Sequence, residues 1–571
     1  MSTSAAPSDT TTRVARQGVL GLAGAVCTGA GGFVLTLAVG RLLDETATGE
    51  FFAGVAAFTI ATTVLLLGAD TGLVRGLSAL RATGGHALAG PTLRAALVPV
   101  LAASGVVAVA GVVAADPIAH LLFDGATADD MAGALRLLAP FLVLATLSTA
   151  LLNGASRGLG AMRTYTLFQQ VMLPVSRPAL LLGAVVLLGA GLQGSLLAWA
   201  LPLVVAVLAG GRDVRRRLRD LARRSTDPGA GGSAGAPPAG AGPVSRAQRR
   251  EIRRRFWRLT APRGVAATFE VLIVWADVLL VTVLRGPVEA GVYAAASRFV
   301  TSGTLAVQAI RLSMAPAVAE AFSRGDRDEA QRVHRFSTVG AVVSTWPVYL
   351  GMAVFAPAVL TLLGARFVEG AAALTILSVA MLGVVATGNA NTVLNMAGKS
   401  HWAAVNTGTA TAVMLAVDLA LVPRLGMVGA AIGWSAALLT DAALGVAQVR
   451  RGLGVRSWGR RVAEAAVLAV VAFGGPALGA RVVLGTTLGD AAVGVAAATL
   501  VYGAAIWLRR RALGLDAFVG ALRRPAPDRP AGAAAHPHDV RHQNDRQTAH
   551  VNENQNENRP EPSARKEGST L

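Results

Sequence analysis

Cysteine and charged residues are both scarce in this chain of 571 residues. Cys27 is the only cysteine, which excludes a disulfide framework and any metal site built on thiolates. Charged residues make up 15% of the sequence, well below the roughly 25% that is typical of soluble domains. Apolar residues reach 53%. The low charge and the high apolar content together indicate a membrane protein.

Long apolar runs recur from Gly18 to Leu508, and most have the roughly 20 residues needed to cross a bilayer. The first run follows Arg13 and Arg16 and is too long for the apolar part of a cleaved signal, so we interpret it as an uncleaved span. We predict an all-α polytopic membrane protein with about 14 transmembrane helices. The predicted spans are 17–39, 51–69, 93–115, 133–153, 165–188, 191–210, 260–284, 291–316, 335–355, 369–395, 402–422, 426–448, 461–481 and 488–508.

Basic residues are concentrated in every second connection between the spans. That set begins with Arg13 and Arg16, includes segment 212–258 and ends at 509–511. The connections between are short and often acidic, as at Asp44. The positive-inside rule therefore predicts that both termini are cytoplasmic and that the number of spans is even. The rule also accounts for the net charge of +19, so no nucleic-acid partner is expected.

Self-comparison finds an internal repeat of six spans. "LLNGASRGLGAM" from Leu151 resembles "VLNMAGKSHWAA" from Val393, and the same register aligns Gly49 with Gly291. Parallel repeats of this kind build transporters that alternate access around a site between two lobes. The predicted organisation is a cytoplasmic N-terminus (1–16), an N-lobe of spans 1–6 (17–210), a cytoplasmic linker (211–258), a C-lobe of spans 7–12 (259–450), spans 13 and 14 (451–508) and a disordered cytoplasmic tail (509–571).

The linker has arginine-rich ends around a centre of Gly, Ala and Pro. Two interpretations of its arginines at 212–258 stay open: they bind anionic membrane lipids of the inner leaflet, or they only set topology. The tail is polar and rich in Pro, Asn, Glu and His, a composition typical of disorder. Its segment "HPHDVRH" from His536 offers nitrogen ligands without a folded frame, so no metal site is expected.

Three motifs are similar to those of a known family. "TATGEFFAGVAAF" from Thr46 resembles its second span, "EAGVYAAASRFVTSG" from Glu289 the counterpart in the second lobe, and "GMVGAAIGWSAAL" from Gly426 the start of span 12. Over about residues 13–450 the chain resembles the polysaccharide-transporter branch of the multidrug/oligosaccharidyl-lipid/polysaccharide (MOP) exporter superfamily. The long linker and the His-containing tail depart from the pattern of that family.

The resemblance implies a flippase of the bacterial plasma (inner) membrane, without catalytic residues. Such a protein moves an oligosaccharide carried on polyprenyl diphosphate to the outer face of the membrane, for cell-surface polysaccharide biosynthesis. The partners it implies are the lipid-linked oligosaccharide and other polysaccharide-assembly proteins. No cofactor is expected, and the only ion foreseen is a coupling H⁺ or Na⁺.

Arginines inside the predicted spans are candidate ligands for a diphosphate. Arg177 lies between Pro174 and Pro178, which should kink span 5. Arg298 and Arg311 lie at different depths of span 8. Because a guanidinium offers a planar fork of donors to oxyanions, we predict that these three arginines bind the substrate in a cationic cavity.

Carboxylates inside the spans are candidates for the cavity wall and for ion coupling. Arg263, Glu270 and Asp277 are spaced seven apart in span 7, so they should share one stripe of the helix. Two interpretations stay open for them, exposure to a cavity or burial against a neighbouring helix. Asp418 in span 11 is a further coupling candidate. We expect the asparagines of span 10 to bond between helices, and Asp441 to reach the interface.

Three alternatives to a polysaccharide flippase remain. A lipid II flippase and a multidrug or cation antiporter belong to the same superfamily, and the arginines inside the spans favour an anionic substrate over a cationic one. A membrane glycan polymerase or glycosyltransferase is disfavoured, because such enzymes usually carry a large soluble loop with acidic catalytic residues. No such loop is found here: the one long linker is rich in Arg, Gly and Ala.

Overall fold

In a computed structural model, residues 9–123, 125–226 and 245–514 are described, and this part of the chain is helical without any strand. The predicted all-α membrane fold is confirmed. The helices of the N-lobe are α1 (Asp9–Leu42), α2 (Glu45–Leu66), α3 (Ala69–Ala82), α4 (Ala89–Val113), α5 (Ala115–Leu122), α6 (Gly125–Thr149), α7 (Met162–Tyr165), α8 (Leu173–Leu188), α9 (Leu192–Ala200) and α10 (Pro202–Thr226).

The second lobe and the last two spans follow after the linker. The C-lobe contains α11 (Arg246–Arg285), α12 (Pro287–Ser302), α13 (Leu305–Ser323), α14 (Arg327–Val354), α15 (Ala356–Thr361), α16 (Ala371–Ala386), α17 (Ala390–Met396), α18 (Ser400–Leu425) and α19 (Met427–Leu453). The last two spans are formed by α20 (Arg460–Ala469), α21 (Gly475–Leu484) and α22 (Leu488–Leu513). Short π-helical turns occupy Ala150–Ser156, Thr166–Met172 and Val470–Gly474.

Thirteen helices or continuous helical stretches of the described residues are long and apolar enough to cross a membrane. They correspond to thirteen of the fourteen predicted spans. The region of the eighth, 291–316, contains α12 and α13, with a break at Gly303 and Thr304. The hydroxyls of Thr301, Ser302 and Thr304 donate to backbone oxygens three residues earlier. Bonds of this kind compete with the helical ladder, which accounts for the break.

The predicted boundaries of the linker and the tail differ from the helix ends. The arginine-rich ends of the linker are helical, because α10 reaches Thr226 and α11 begins at Arg246. The helix α22 extends to Leu513, so residues 509–513 belong to a helix and not to the predicted disordered tail. Residues 1–8, the linker centre 227–244 and the tail 515–571 with its histidine segment lie outside the described residues.

The helix α11 packs on the N-lobe although it belongs to the C-lobe. Leu67 has a φ of 46° and Gly68 a φ of 74°, and this left-handed turn separates α2 from α3. Gly264 of α11 lies against the backbone of Leu67, where any Cβ would overlap it. Only glycine allows two backbones to approach so closely. Phe256, further towards the start of α11, is buried in the apolar core beneath α3 and α4.

The two lobes also meet where α2 and α12 begin. Gly49 of α2 and Gly291 of α12, the pair that the internal repeat aligns, lie backbone to backbone. Pro287 closes the same contact, since a Cβ at Gly49 would overlap its carbonyl. This contact lies at the end of the molecule that the charge pattern predicts to face away from the cytoplasm. The largest apolar core continues through both lobes beneath it.

Candidate functional site

A buried hydrogen bond joins α11 and α12 inside the C-lobe. The hydroxyl of Tyr293 donates to Oδ2 of Asp277 over 2.5 Å, and the backbone N–H of Val278 donates to Oδ1 over 2.8 Å. The turn at Gly286 (φ 93°) reverses the chain between the helices, so residues on either side of it meet. Asp277 is 2% exposed and Tyr293 is fully buried. Asp277 is therefore hydrogen-bonded to a residue of the neighbouring helix.

Arg298 lies on the same helix as Tyr293 and is held by an aromatic ring. Its guanidinium carbon is 3.7 Å from the centroid of Trp275, the geometry of a cation–π contact. Its Nε and Nη2 atoms are buried, and no hydrogen-bond acceptor contacts them. The charge of Arg298 interacts with the carboxylate of Asp277. The ring thus positions a cation whose buried donors have no acceptor within the described residues.

Asp418 completes the cluster from α18. It is fully buried, and neither carboxylate oxygen accepts a hydrogen bond from the described residues. Gly433 of α19 faces it, and a Cβ at this glycine would overlap Oδ1 of Asp418. Its charge interacts with that of Asp277. Three predicted site residues, from spans 7, 8 and 11, are therefore brought together: Asp277, Arg298 and Asp418.

Arg177 lies in the other lobe, on Trp199 of α9. Its Nε donates to the backbone oxygen of Trp199 over 3.2 Å, and its guanidinium carbon is 4.1 Å from the ring centroid. Each lobe therefore holds one arginine on a tryptophan ring. Two of the three predicted diphosphate ligands, Arg177 and Arg298, are thus each held by a tryptophan that the sequence analysis did not single out.

The helix that carries Arg177 is distorted by its prolines, as predicted. Pro174 has no N–H, so the oxygen of Gln170 loses its helical donor. The hydroxyl of Thr28 from α1 donates to that oxygen instead, over 3.1 Å. A π-helical turn, Thr166–Met172, immediately precedes the proline. Gly31 lets α1 approach the oxygen of Pro174, so the distorted segment is supported by α1.

The remaining predicted site residues lie apart from the buried cluster. Arg263 and Glu270 form a two-bond ion pair on the surface of α11, with distances of 2.9 and 3.2 Å. Both side chains are about half exposed. Arg311 is exposed on α13. The stripe expected for Arg263, Glu270 and Asp277 thus divides into an exposed ion pair and a buried carboxylate.

A second polar network connects α17, α18 and α19. Asp441 accepts hydrogen bonds from Asn391 (2.7 Å) and from the hydroxyl of Thr407 (3.3 Å). Asn406 and Gln448 exchange two amide bonds of 2.9 and 2.7 Å. Bonding between helices is thus confirmed for Asn391. Asp441, which we expected to reach the interface, thus accepts hydrogen bonds from two neighbouring helices.

Sequence and structure comparisons identify a family and several solved structures that this chain resembles. A model of the family described as "Polysaccharide biosynthesis protein" matches residues 16–322, more than half of the chain. The chain belongs to this family. No curated protein matches the sequence.

Solved structures share the fold at low sequence identity. An inward-facing multidrug resistance MATE family transporter of the MOP superfamily is 16% identical, with a TM-score of 0.61 over 74% of this chain and 94% of its own. The lipid II flippase MurJ in an inward closed conformation is 10% identical, with a TM-score of 0.63 over 87% and 98%. A MOP transporter from Pyrococcus furiosus is 17% identical, with a TM-score of 0.55 over 77% and 95%. The chain therefore shares the fold of these proteins, and its thirteen candidate spans among the described residues indicate a multi-pass membrane protein.

Proposed function

We propose that the protein is a flippase for an oligosaccharide linked to polyprenyl diphosphate, working by alternating access in the synthesis of cell-surface polysaccharide. The observation that carries this proposal is Arg298. It holds two buried donors without an acceptor, on a tryptophan ring inside the C-lobe. An unpaired buried guanidinium is costly, and the oxygens of a diphosphate are acceptors of matching charge and geometry.

Arg177 and Arg311 extend the proposed anionic site beyond Arg298. None of the three arginines is within ion-pair distance of a carboxylate in the described part of the chain. Arg177 belongs to the N-lobe and the other two to the C-lobe. A diphosphate held from both lobes would therefore bind differently when the lobes rock, as alternating access requires.

Coupling to an ion is a second part of the proposal. Asp277 and Asp418 are buried and interact, and Asp418 has no hydrogen-bond donor among the described residues. Two buried carboxylates that interact with each other favour a shared cation, either H⁺ or Na⁺. Binding of that cation would partly neutralise the cluster beside Arg298 and so change the affinity of the arginine for an anion. The exposed Arg263–Glu270 pair would line the cavity instead.

The proposed setting is the plasma membrane, with both termini in the cytoplasm. The alternation of basic connections supports this orientation. The lipid-linked oligosaccharide would enter from the cytoplasmic leaflet with its polyprenyl chain remaining in lipid. The enzymes that assemble and polymerise such oligosaccharides are the partners expected for a protein of this kind.

Export of surface polysaccharide by cells that lack the native gene tests the proposal. Wild type should restore export, Arg298→Gln should not, and Arg298→Lys should restore part of it. Arg424→Gln is the matched control, because Arg424 is exposed near the end of α18. Full export by Arg298→Gln at normal protein abundance would refute the role of the arginine.

A lipid II flippase is the second candidate, since the fold aligns with MurJ over 87% of the chain. The two functions separate in cells depleted of their own lipid II flippase. Growth rescue by this protein, without an effect on surface polysaccharide, would favour lipid II. Only the buried carboxylates favour a multidrug or cation antiporter. Such a protein would change the drug susceptibility of the same strains.

A further inference from the structure

A pocket of about 550 Å³ lies where α2, α4 and α11 meet, apart from every residue discussed as a transport site. One wall is apolar and the other is cationic. The lining residues are Leu65 and Leu67 at the end of α2, Pro99, Val100 and Ala103 from α4, and Arg250, Arg253, Arg254 and Trp257 from α11. The combination of three guanidiniums with an apolar wall requires an explanation that the proposed transport does not supply.

The cationic wall is a single face of α11. Positions 250, 253, 254 and 257 follow the spacing of one helical stripe. The arginines of this stripe are exposed, and no carboxylate of the described residues is within ion-pair distance of Arg250, Arg253 or Arg254. Topology requires positive charge in this connection but not at particular positions, whereas these three arginines lie together beside a pocket.

The wall is also held in place by its surroundings. Ser245 and Gln248 form a reciprocal capping box that starts the helix just before the arginines. At the other end of the stripe, Nε1 of Trp257 donates to the backbone oxygen of Ala95 in α4 over 3.1 Å. The pocket is therefore built on a capped helix tied to the N-lobe.

The shape and charge of the pocket fit one kind of occupant. The arginines lie at the end of α11 that the charge pattern places in the cytoplasm, next to the apolar side chains of α2 and α4. A phosphate binds guanidiniums through charge-assisted hydrogen bonds, and an acyl chain suits the apolar wall. Phospholipids of the cytoplasmic leaflet carry both groups together, and basic pockets between spans on that side bind anionic headgroups.

We propose that this pocket binds an anionic glycerophospholipid, with its phosphate on Arg250, Arg253 and Arg254 and an acyl chain along Pro99 and Ala103. Because α11 packs on both lobes, the lipid would fasten the start of this helix to α2 and α4 of the N-lobe. The site gives a defined location to the attraction between anionic lipid and the linker that the sequence left open. It does not depend on the identity of the transported substrate.

Thermal unfolding of the full-length, delipidated protein in detergent tests the site. The probes are dioleoyl-phosphatidylglycerol, dioleoyl-phosphatidylcholine, inorganic phosphate and undecaprenyl phosphate, each added separately. Phosphatidylglycerol should raise the Tm of wild type by several degrees more than the other three. Equal stabilisation by inorganic phosphate would show that the acyl wall plays no part. A response to undecaprenyl phosphate alone would show a site for the polyprenyl carrier instead. Either result overturns the proposal.

Two variants with equal loss of charge locate the effect. Arg250→Gln combined with Arg254→Gln removes two lining guanidiniums and should abolish the extra shift. Arg255→Gln combined with Arg258→Gln removes two exposed arginines of α11 that do not line the pocket, and should leave the shift intact. An equal loss in both double variants would show unspecific attraction and refute the pocket.

A third variant tests the apolar wall without changing charge. Ala103 is exposed on α4, so Ala103→Trp can fill the pocket without disturbing the core. This variant should reduce the response to phosphatidylglycerol while its Tm without lipid stays near that of wild type. An undiminished response would place the lipid elsewhere.

Discussion

Arg41 and Arg366 cap two helix ends across the boundary between the lobes. Nε of Arg41, on α1, donates to the oxygen of Leu362 over 2.7 Å, directly after α15. Nη2 of Arg366 donates to the oxygens of Gly40 and Leu43, at the end of α1, over 2.9 and 2.6 Å. A cation at a helix C-terminus is favourable because the last carbonyls lack donors. The exchange ties the lobes together at the end where Gly49 and Gly291 meet.

Loss of these hydrogen bonds should loosen the contact between the lobes at this end of the molecule. Bonds to charged groups are worth about 1.5–3 kcal/mol each in general, and Arg366 makes two of them while partly buried. We expect Arg366→Ala to expose Thr48, which is 1% exposed at the lobe contact. In a background with Cys27→Ser, Thr48→Cys should be unreactive towards an impermeant thiol reagent, and should become reactive when Arg366→Ala is added.

Arg424→Ala is the control for that experiment, since Arg424 is exposed and lies near the end of another helix. It should leave Thr48→Cys unreactive. Reactivity of Thr48→Cys before any arginine is changed would contradict the closed contact that the two arginines and the glycine pair form.

The apolar pattern predicted the spans, but not the partners of the polar residues within them. Runs of about 20 apolar residues are sufficient to place a span. The partner of Asp277 depends on the turn at Gly286, which brings Tyr293 alongside, and spacing within one helix carries no such information. Trp275 and Trp199 have the pattern of ordinary apolar residues in the sequence, although each makes a cation–π contact with an arginine. The register that aligns Gly49 with Gly291 also aligns Phe51 with Tyr293, but this alignment does not indicate a bond to Asp277.

The break at Gly303 was missed for a related reason. Hydropathy averages over a window, and the apolar residues of 291–316 outnumber the polar ones among them. The hydroxyls of Thr301, Ser302 and Thr304 act locally on the backbone and leave that average almost unchanged. The ends of the linker are helical although their arginine-rich composition suggested an extended connection. Arginine is a good helix former, so this composition is compatible with a helix.

The two carboxylates of the predicted stripe should differ in access to water. Glu270 is half exposed in its pair with Arg263, whereas Asp277 is 2% exposed. With Cys27 replaced by Ser, Glu270→Cys should react with a small water-soluble thiol reagent and Asp277→Cys should not. Equal reactivity at both positions would mean that Asp277 also lines an aqueous cavity.

The contact of Arg177 with the ring of Trp199 leads to a prediction for the N-lobe. Arg177→Ala should abolish export of surface polysaccharide at normal protein abundance, and Arg177→Lys should restore part of it. Trp199→Leu should reduce export with the arginine unchanged, because the ring positions the guanidinium at 4.1 Å. Export would be measured in complemented cells beside protein abundance, and full export by Arg177→Ala would exclude this arginine from the anionic site.

Substitutions at Gly433 and Asp418 can distinguish a role of Asp418 in ion coupling from a purely structural role. A methyl group at 433 would overlap Oδ1 of Asp418, and overpacking of a buried site costs about 1–3 kcal/mol. Gly433→Ala should therefore lower the Tm in detergent, and adding Asp418→Ala should restore most of the loss by making room. Gly503→Ala, where nothing lies within 4 Å of the new Cβ, should not destabilise. If Asp418 takes part in coupling, the double variant should be stable, yet its transport should no longer respond to a proton or Na⁺ gradient. A stable double variant with gradient-dependent transport would leave Asp418 a structural role only.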